Sequence, residues 1–347
     1  MSSATTTADE TASDAGPRPT SPWRLALGRL LRNRSAMLSL VVFLLLCAAC
    51  LCAPIFAHDV AKTDPFRSNV SGTVVLHGKT VPVLQPNSLG FGSTPIGPTW
   101  SSQYAFGADD QGRDVLARTL YGGRISLQIG IISALISCAI AAVLGLIAGF
   151  FGGLVDGVIA RILDIIWAFP VYLFAISLST VLLLQGLKIG PIQVNAGSIW
   201  LPTLIIAFVY VPYVARPIRG ETISLRNREF MEAASSLGAS NTRLLFSELL
   251  PNVMPVVIVL LPLMVATNIL TESALSYLSI GVQAPQASWG TIVSDGQSLL
   301  YTRPWVSVLP GLMIVVAVLT LNVLGDGVRD ALDPRGRVRS VRRIMGK

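Results

Sequence analysis

Six apolar stretches of about 20 residues each restrict the fold of this chain more sharply than any other feature. They run over Ala36–Ala57, Ser126–Phe150, Val158–Leu184, Ser198–Ala215, Pro251–Leu270 and Trp305–Leu324. A helix of about 20 apolar residues crosses about 30 Å of hydrocarbon. In lipid every backbone N–H and C=O must be paired within the chain, so apolar spans of this length fold as helices. Charged residues make up only 13% of the chain and hydrophobic residues 52%, against about 25% charged in soluble domains. The expected fold class is therefore an all-α integral membrane protein with six transmembrane helices.

The net charge of +7 does not indicate nucleic acid. The basic residues sit at the ends of apolar runs, and no basic stripe with interleaved aromatics is present. Most of the Lys and Arg residues fall inside the cell if both termini are cytoplasmic, as the charge bias of membrane proteins requires. Arg113, Arg118 and Arg124 are the main dissenters; they lie in a long outer segment, where the bias is weak. Residues 1–22 are rich in Ser, Thr, Ala and Pro and read as a disordered cytoplasmic tail. Their early acidic residues do not fit a signal peptide. Residues 23–35 form a basic amphipathic segment suited to an interfacial elbow helix. The first span covers 36–57, a polar extracytoplasmic insertion with a small β-hairpin (Thr73–Leu76 with Thr80–Leu84) covers 58–111, and a basic cytoplasmic tail covers 331–347. Cys47, Cys50, Cys52 and Cys138 all lie in apolar runs and pack as small hydrophobes. His58 and His77 are surface residues of the insertion, and no metal-ligand spacing is present.

Pro170 should kink the third span, and Arg161 and Asp164, three residues apart on one helix, can pair. Thr271–Pro304 reads as a helix end followed by a short re-entrant segment. The most informative polar stretch is Glu232–Pro251. In Glu229–Leu237, Phe230, Ala233, Ala234 and Leu237 share one helical face, with Glu229, Glu232, Ser235 and Ser236 on the other. Gly238 stands where a glycine stops a helix, and Thr242–Leu250 resumes helix into the fifth span. Such an element either packs on its own bundle or presses its apolar face into another protein; periodicity alone does not decide.

The spacing Glu232-Ala233-Ala234, Gly238, Leu250-Pro251 resembles the EAA motif of ABC importer permeases of the type I fold. Ordered blocks extend the likeness. They are Phe106 to Leu127 (with Asp109, Gly112-Arg113-Asp114 and Arg118), Gly149 to Pro170, Glu229 to Asn252, Glu272 to Gly290 and Leu324 to Arg335. Together they resemble the dipeptide/oligopeptide/nickel permease family in its C-type, second-permease branch. Glu248 stands where Ile is usual, Ser279 where glycine is frequent, and the outer insertion is longer than usual.

This resemblance implies an ABC transmembrane type-1 domain over 121–330 in the bacterial cytoplasmic membrane. It implies a second, homologous permease, two ABC ATPase subunits and an extracytoplasmic substrate-binding protein as partners, with membrane lipid around the spans. It assigns ATPase coupling to Arg228, Glu229, Glu232, Ala233, Ala234, Gly238 and Ala239. The chain has no G-x-x-x-x-G-K-[ST] phosphate loop, so it is expected to be a transporter subunit and not an enzyme. It should need no cofactor, ATP being bound by partner subunits. The cargo expected from the family is dipeptides or oligopeptides, with nickel or another small solute as the alternative. Glu272, near the outer end of the fifth span, and Asn268 and Asn322, within spans, are polar candidates for the translocation pathway or an outer gate. Glu272 can equally be a structural partner of Arg303 or of backbone. A secondary transporter would need mid-membrane coupling carboxylates and repeats, and a membrane enzyme a convergent catalytic constellation. Neither pattern is found in the sequence.

Overall fold

Long helices, several of them longer than a bilayer is thick, set the architecture of the computed structural model. Residues 22–76, 78–87 and 92–333 are described. The expected disordered tail lies outside them except for its last residue, as do His77 and the basic tail beyond Asp333. Helix α1 (Pro22–Arg32) leads into α2 (Arg34–Leu51), and Asn33 caps α2 by accepting from Ala36 N at 3.3 Å.

The insertion that follows carries two small antiparallel pairs. Strand β1 (Thr73–Leu76) pairs with β2 (Lys79–Pro82), and β3 (Leu84–Pro86) with β4 (Ser93–Pro95). The first is the expected hairpin; the second pair was not foreseen. Both close over a core of Val74, Val83, Ile96, Tyr104 and Ala108.

Helix α3 spans Val115–Phe151 without interruption, about 55 Å at 1.5 Å per residue. The polar residues ahead of the second apolar stretch are thus the first turns of the same helix, started by Asp114. That carboxylate accepts from Leu116 N (2.9 Å) and Ala117 N (3.0 Å), the role of an N-cap.

The third span is broken, not kinked. Helix α4 (Gly153–Trp167) and α5 (Val171–Gln185) meet at 86°. Pro170 has no N–H to donate and its ring opposes the preceding turn, and here it adopts an extended backbone, φ −55°, ψ 125°. The loop after α5 folds as a hairpin of β5 (Leu187–Ile189) and β6 (Ile192–Val194), turned at Gly190.

Helix α6 runs over Trp200–Arg226, eleven residues past the apolar stretch. The short α7 (Glu229–Ser236) follows, then α8 (Asn241–Tyr277), the short α9 (Trp289–Asp295) and α10 (Trp305–Leu332). Four of these helices, α2, α3, α6 and α10, together with α8, are long and apolar enough to cross a membrane; the bent α4–α5 pair makes a sixth crossing if counted as one.

The core lies along α3, which packs on α6 and α8 through small residues. A Cβ on Gly145 would stand 2.6 Å from Ile218 Cγ2, and one on Gly149 2.6 Å from Thr222 Cβ. Small residues permit this approach in membrane helices, and Ser137 Oγ adds a bond to Ala207 O at 2.7 Å. Ser279, where glycine is frequent in the family, takes φ 61°, a left-handed conformation that glycine adopts with less cost.

Helix α9 is pressed against α8. A Cβ on Gly290 would collide with the backbone of Ser273. Gly290→Ala is expected to destabilise the protein by about 1–3 kcal/mol, as overpacking does. Gly311→Ala, where a Cβ meets nothing within 4 Å, should be neutral. Thermal unfolding of the two purified variants against wild type checks this.

Candidate functional site: the short helix between α6 and α8

Helix α7 is held at both ends by features of the sequence. It begins after Arg228 in extended backbone (φ −92°, ψ 151°), and Glu229 and Glu232 occupy its first turn, where negative charge complements the helix dipole. It ends at Gly238, φ 81°, whose N–H reaches Ser235 O at 2.9 Å, while Ala239 N reaches Ala234 O at 3.1 Å. Ser240 then starts α8, its Oγ accepting from Arg243 N at 3.3 Å. Pro251 lacks an N–H, and the turn before it, Leu244–Leu249, widens to π-type spacing. Asn252 Nδ2 donates to Glu248 O at 2.6 Å there.

The helix has an inner and an outer face. Met231 is 4% exposed and Ala234 half-buried, and both pack on the core that includes Leu244 and Leu249. Phe230 (37% exposed), Ala233 and Leu237 (89%) point outward, as do Arg228, Glu229 and Glu232. Ala234, placed by periodicity on the same face as Phe230, Ala233 and Leu237, instead lies three residues from Met231 at the edge of the inner face and is half-buried. A cavity of about 550 Å³ opens under the helix between Phe150, Arg226, Glu232 and Leu244.

Charged contacts from α6 brace this end of the molecule. Arg219 donates to both carboxylate oxygens of Asp156, through Nη2 at 2.6 Å and through Nε. Arg216 donates to Asp164 at 2.6 Å and lies 4.3 Å over the Trp167 ring. The expected Arg161–Asp164 pair does not form, because Arg216 approaches Asp164 from α6 and gains the indole as well. Arg226 Nη1 donates to Phe150 O (3.0 Å) and Gly149 O (3.4 Å), capping the end of α3 with a cation. Sequence reasoning missed these α4–α6 pairs; their partners stand 52 and 63 residues apart.

The candidate pathway residues are not brought together. Glu272 is fully buried. Ser276 Oγ donates to its Oε1 at 2.7 Å and Ser273 Oγ to its Oε2 at 3.4 Å, and the Ser126 and Ser288 hydroxyls also face it. It does not pair with Arg303, whose guanidinium instead donates to Pro95 O at 2.5 Å and Thr302 O at 2.9 Å. Ser126 Oγ accepts from Trp289 N (3.1 Å), and Ser276 Oγ from Val282 N (3.0 Å). The carboxylate is thus a hub joining α8, α3, α9 and the segment between α8 and α9. Asn268 is buried one turn away, its amide 2.8 Å from Ser133 Oγ. Asn322 lies apart, half-buried in a groove between α6, α8 and α10.

The insertion side holds a second polar cluster that sequence reasoning did not assemble. Arg113 Nε donates to Asp109 Oδ2 (2.7 Å), and Arg118 Nη2 to Asp295 Oδ2 (2.8 Å), with Arg113 Nη2 at 3.3 Å from the same oxygen. Burial pushes the Asp295 carboxyl up, against the pull of Arg118 and Arg113. Arg118, buried, and Arg113, partly buried, which opposed the topological charge bias, are therefore neutralised by carboxylates. Arg124 lies over the Tyr121 ring at 5.7 Å.

Long apolar helices with a short amphipathic helix between two of them define an integral membrane protein. The family model of the binding-protein-dependent transport system inner membrane component matches residues 141–338, and that of the N-terminal TM domain of oligopeptide transport permease C matches residues 21–71. The dipeptide transport system permease protein DppC of Alkalihalophilus pseudofirmus is 36% identical over 91% of this chain and 90% of its own length. The oligopeptide transport system permease protein OppC of Escherichia coli K12 is 38% identical over 91% and 92%. A chain of the inward-facing methionine ABC transporter MetNI aligns with 62% of this chain and 96% of its own, at a TM-score of 0.49 and 15% identity.

The chain belongs to the binding-protein-dependent transport permease family, in its dipeptide/oligopeptide C-type branch. It is a multi-pass ABC importer permease subunit.

Proposed function

We propose that this permease carries dipeptides or oligopeptides across the bacterial cytoplasmic membrane. In this reading both termini and α7 are cytoplasmic, and the insertion faces outward. A second permease completes the translocation path, two ATPase subunits bind and hydrolyse ATP, and a binding protein delivers cargo from outside. The observation that carries the coupling role is the outward face of α7, where Phe230, Ala233 and Leu237 lie exposed on a helix braced from behind by Met231. Three apolar side chains presented beside Arg228, Glu229 and Glu232 suit a cleft on an ATPase better than water. The names of the relatives, dipeptide and oligopeptide permeases, support the cargo.

Glu272 acts in this reading as the pin that holds the outer segment on α3 and α8. The buried Asn268 supports the same seam, and Asn322 is left as the pathway candidate with access to a groove.

Affinity purification of the tagged full chain from its native membrane tests the assembly. The expected result is a complex with one further permease and two ATPases, whose ATP hydrolysis rises on addition of a peptide-loaded binding protein. A chain that transports alone would overturn the proposal. Stimulation by nickel-loaded binding protein only would keep the assembly and replace the cargo.

A further inference from the structure

One large aromatic side chain on the insertion is left mostly uncovered by the chain itself. Trp100 is 69% exposed, yet its loop is rigidly built. Thr99 Oγ1 donates to Gln103 O at 2.6 Å, Trp100 N reaches Ala105 O at 3.3 Å, and Trp100 itself takes φ 53°. A non-glycine residue with positive φ is uncommon, and a conformation of that kind is kept where the surroundings fix it. Tyr104 anchors the loop from below. It is buried, its hydroxyl donates to Gly112 O (3.2 Å), and its N–H donates to Asp114 Oδ2 (2.8 Å). The turn therefore holds the indole out from the insertion in a fixed position.

That position is the head of α10. Trp100, Phe106 and Trp305 meet edge to face, with ring centroids 5.3–6.2 Å apart, and the Arg303 bond to Pro95 O ties the insertion to the same spot. From Trp305 an exposed stripe descends α10 through Val308, Leu312, Val315, Leu319 and Val323. The neighbouring α2 shows a parallel stripe of Leu38, Val41 and Leu45. Trp305 to Val323 rises about 27 Å, close to the thickness of the hydrocarbon core. Below the stripe lie Arg329 and, on α1, Arg29, whose guanidinium reaches Asp333 O at 3.4 Å. An apolar stripe of bilayer length with aromatics at one end and arginines at the other has the layout of a lipid-facing surface.

We propose that Trp100 seats the insertion on the membrane, its indole entering the headgroup–acyl boundary of the leaflet on the insertion side. The occupant of this patch is lipid. The proposal does not depend on the cargo or on the ATPase contacts.

The test uses the full chain, with the subunits that co-purify, in liposomes. The emission lost in Trp100→Phe isolates the Trp100 signal. In lipids brominated near the headgroup that signal should lose most of its intensity, with little effect from lipids brominated near the chain ends or from aqueous iodide. Quenching by iodide without quenching by brominated lipid would place the indole in water and overturn the proposal. Resistance to both would place it against a protein and overturn it equally. A bimane on Trp100→Cys, in a background with Cys47, Cys50, Cys52 and Cys138 changed to alanine, gives an independent reading with spin-labelled lipids under the same criteria.

Discussion

Gly238→Asp is expected to abolish ATP-driven uptake while leaving the amount of permease in the membrane close to wild type. A Cβ at this position would meet nothing within 4 Å, so the cost is torsional. Holding a side-chain-bearing residue at φ 81° costs roughly 1–2 kcal/mol, and a negative charge at the end of α7 adds about 0.3–1 kcal/mol against the helix dipole. Neither is enough to unfold a bundle of this size. Both act at the single joint that sets the angle between α7 and α8, next to the exposed Leu237. A lever whose joint relaxes no longer moves the spans. Gly238→Asn, which enters the left-handed region more readily and adds no charge, should retain part of the transport. Uptake assays beside quantified membrane insertion decide the point, and full transport by the aspartate variant would remove the coupling role from α7.

Glu272→Leu should deplete folded permease, whereas Glu272→Gln should preserve it. The leucine leaves the hydroxyls around the carboxylate, Ser276 and Ser273 foremost, without their acceptor in a site closed to water. Each buried polar group left unpaired costs about 1–3 kcal/mol. Glutamine keeps one acceptor oxygen for Ser276. If the pin reading holds, the glutamine variant transports with unchanged cargo affinity, and the leucine variant loses thermal stability and yield together. A glutamine variant that folds normally yet alters cargo affinity would instead return Glu272 to the pathway.

The spans and α7 were legible because apolar length and glycine placement are local signals. The outer face of α7 was readable in Phe230, Ala233 and Leu237, but Ala234 was not, since its direction depends on how Met231 meets the core. What joins distant segments was not legible. Nothing in a single sequence ties Asp295 to Arg118 or Arg219 to Asp156, and Asp164 has a plausible local partner in Arg161 that loses to Arg216 only in three dimensions. Pro170 announced a disturbance without its size. A kink and an 86° break share the same residue, and the difference rests on whether the helix re-forms its bonds around the ring.

That break has a consequence for where solvent can enter the bilayer. The last carbonyls of α4 and the first amides of α5 have no partners within a helix, and hydrocarbon offers them none. The corner at Ala168–Pro170 must therefore abut another polypeptide or border a wet conduit. Its exposed Trp167, Phe169 and Tyr172 mark the surface on which such cover, whether polypeptide or water, has to sit.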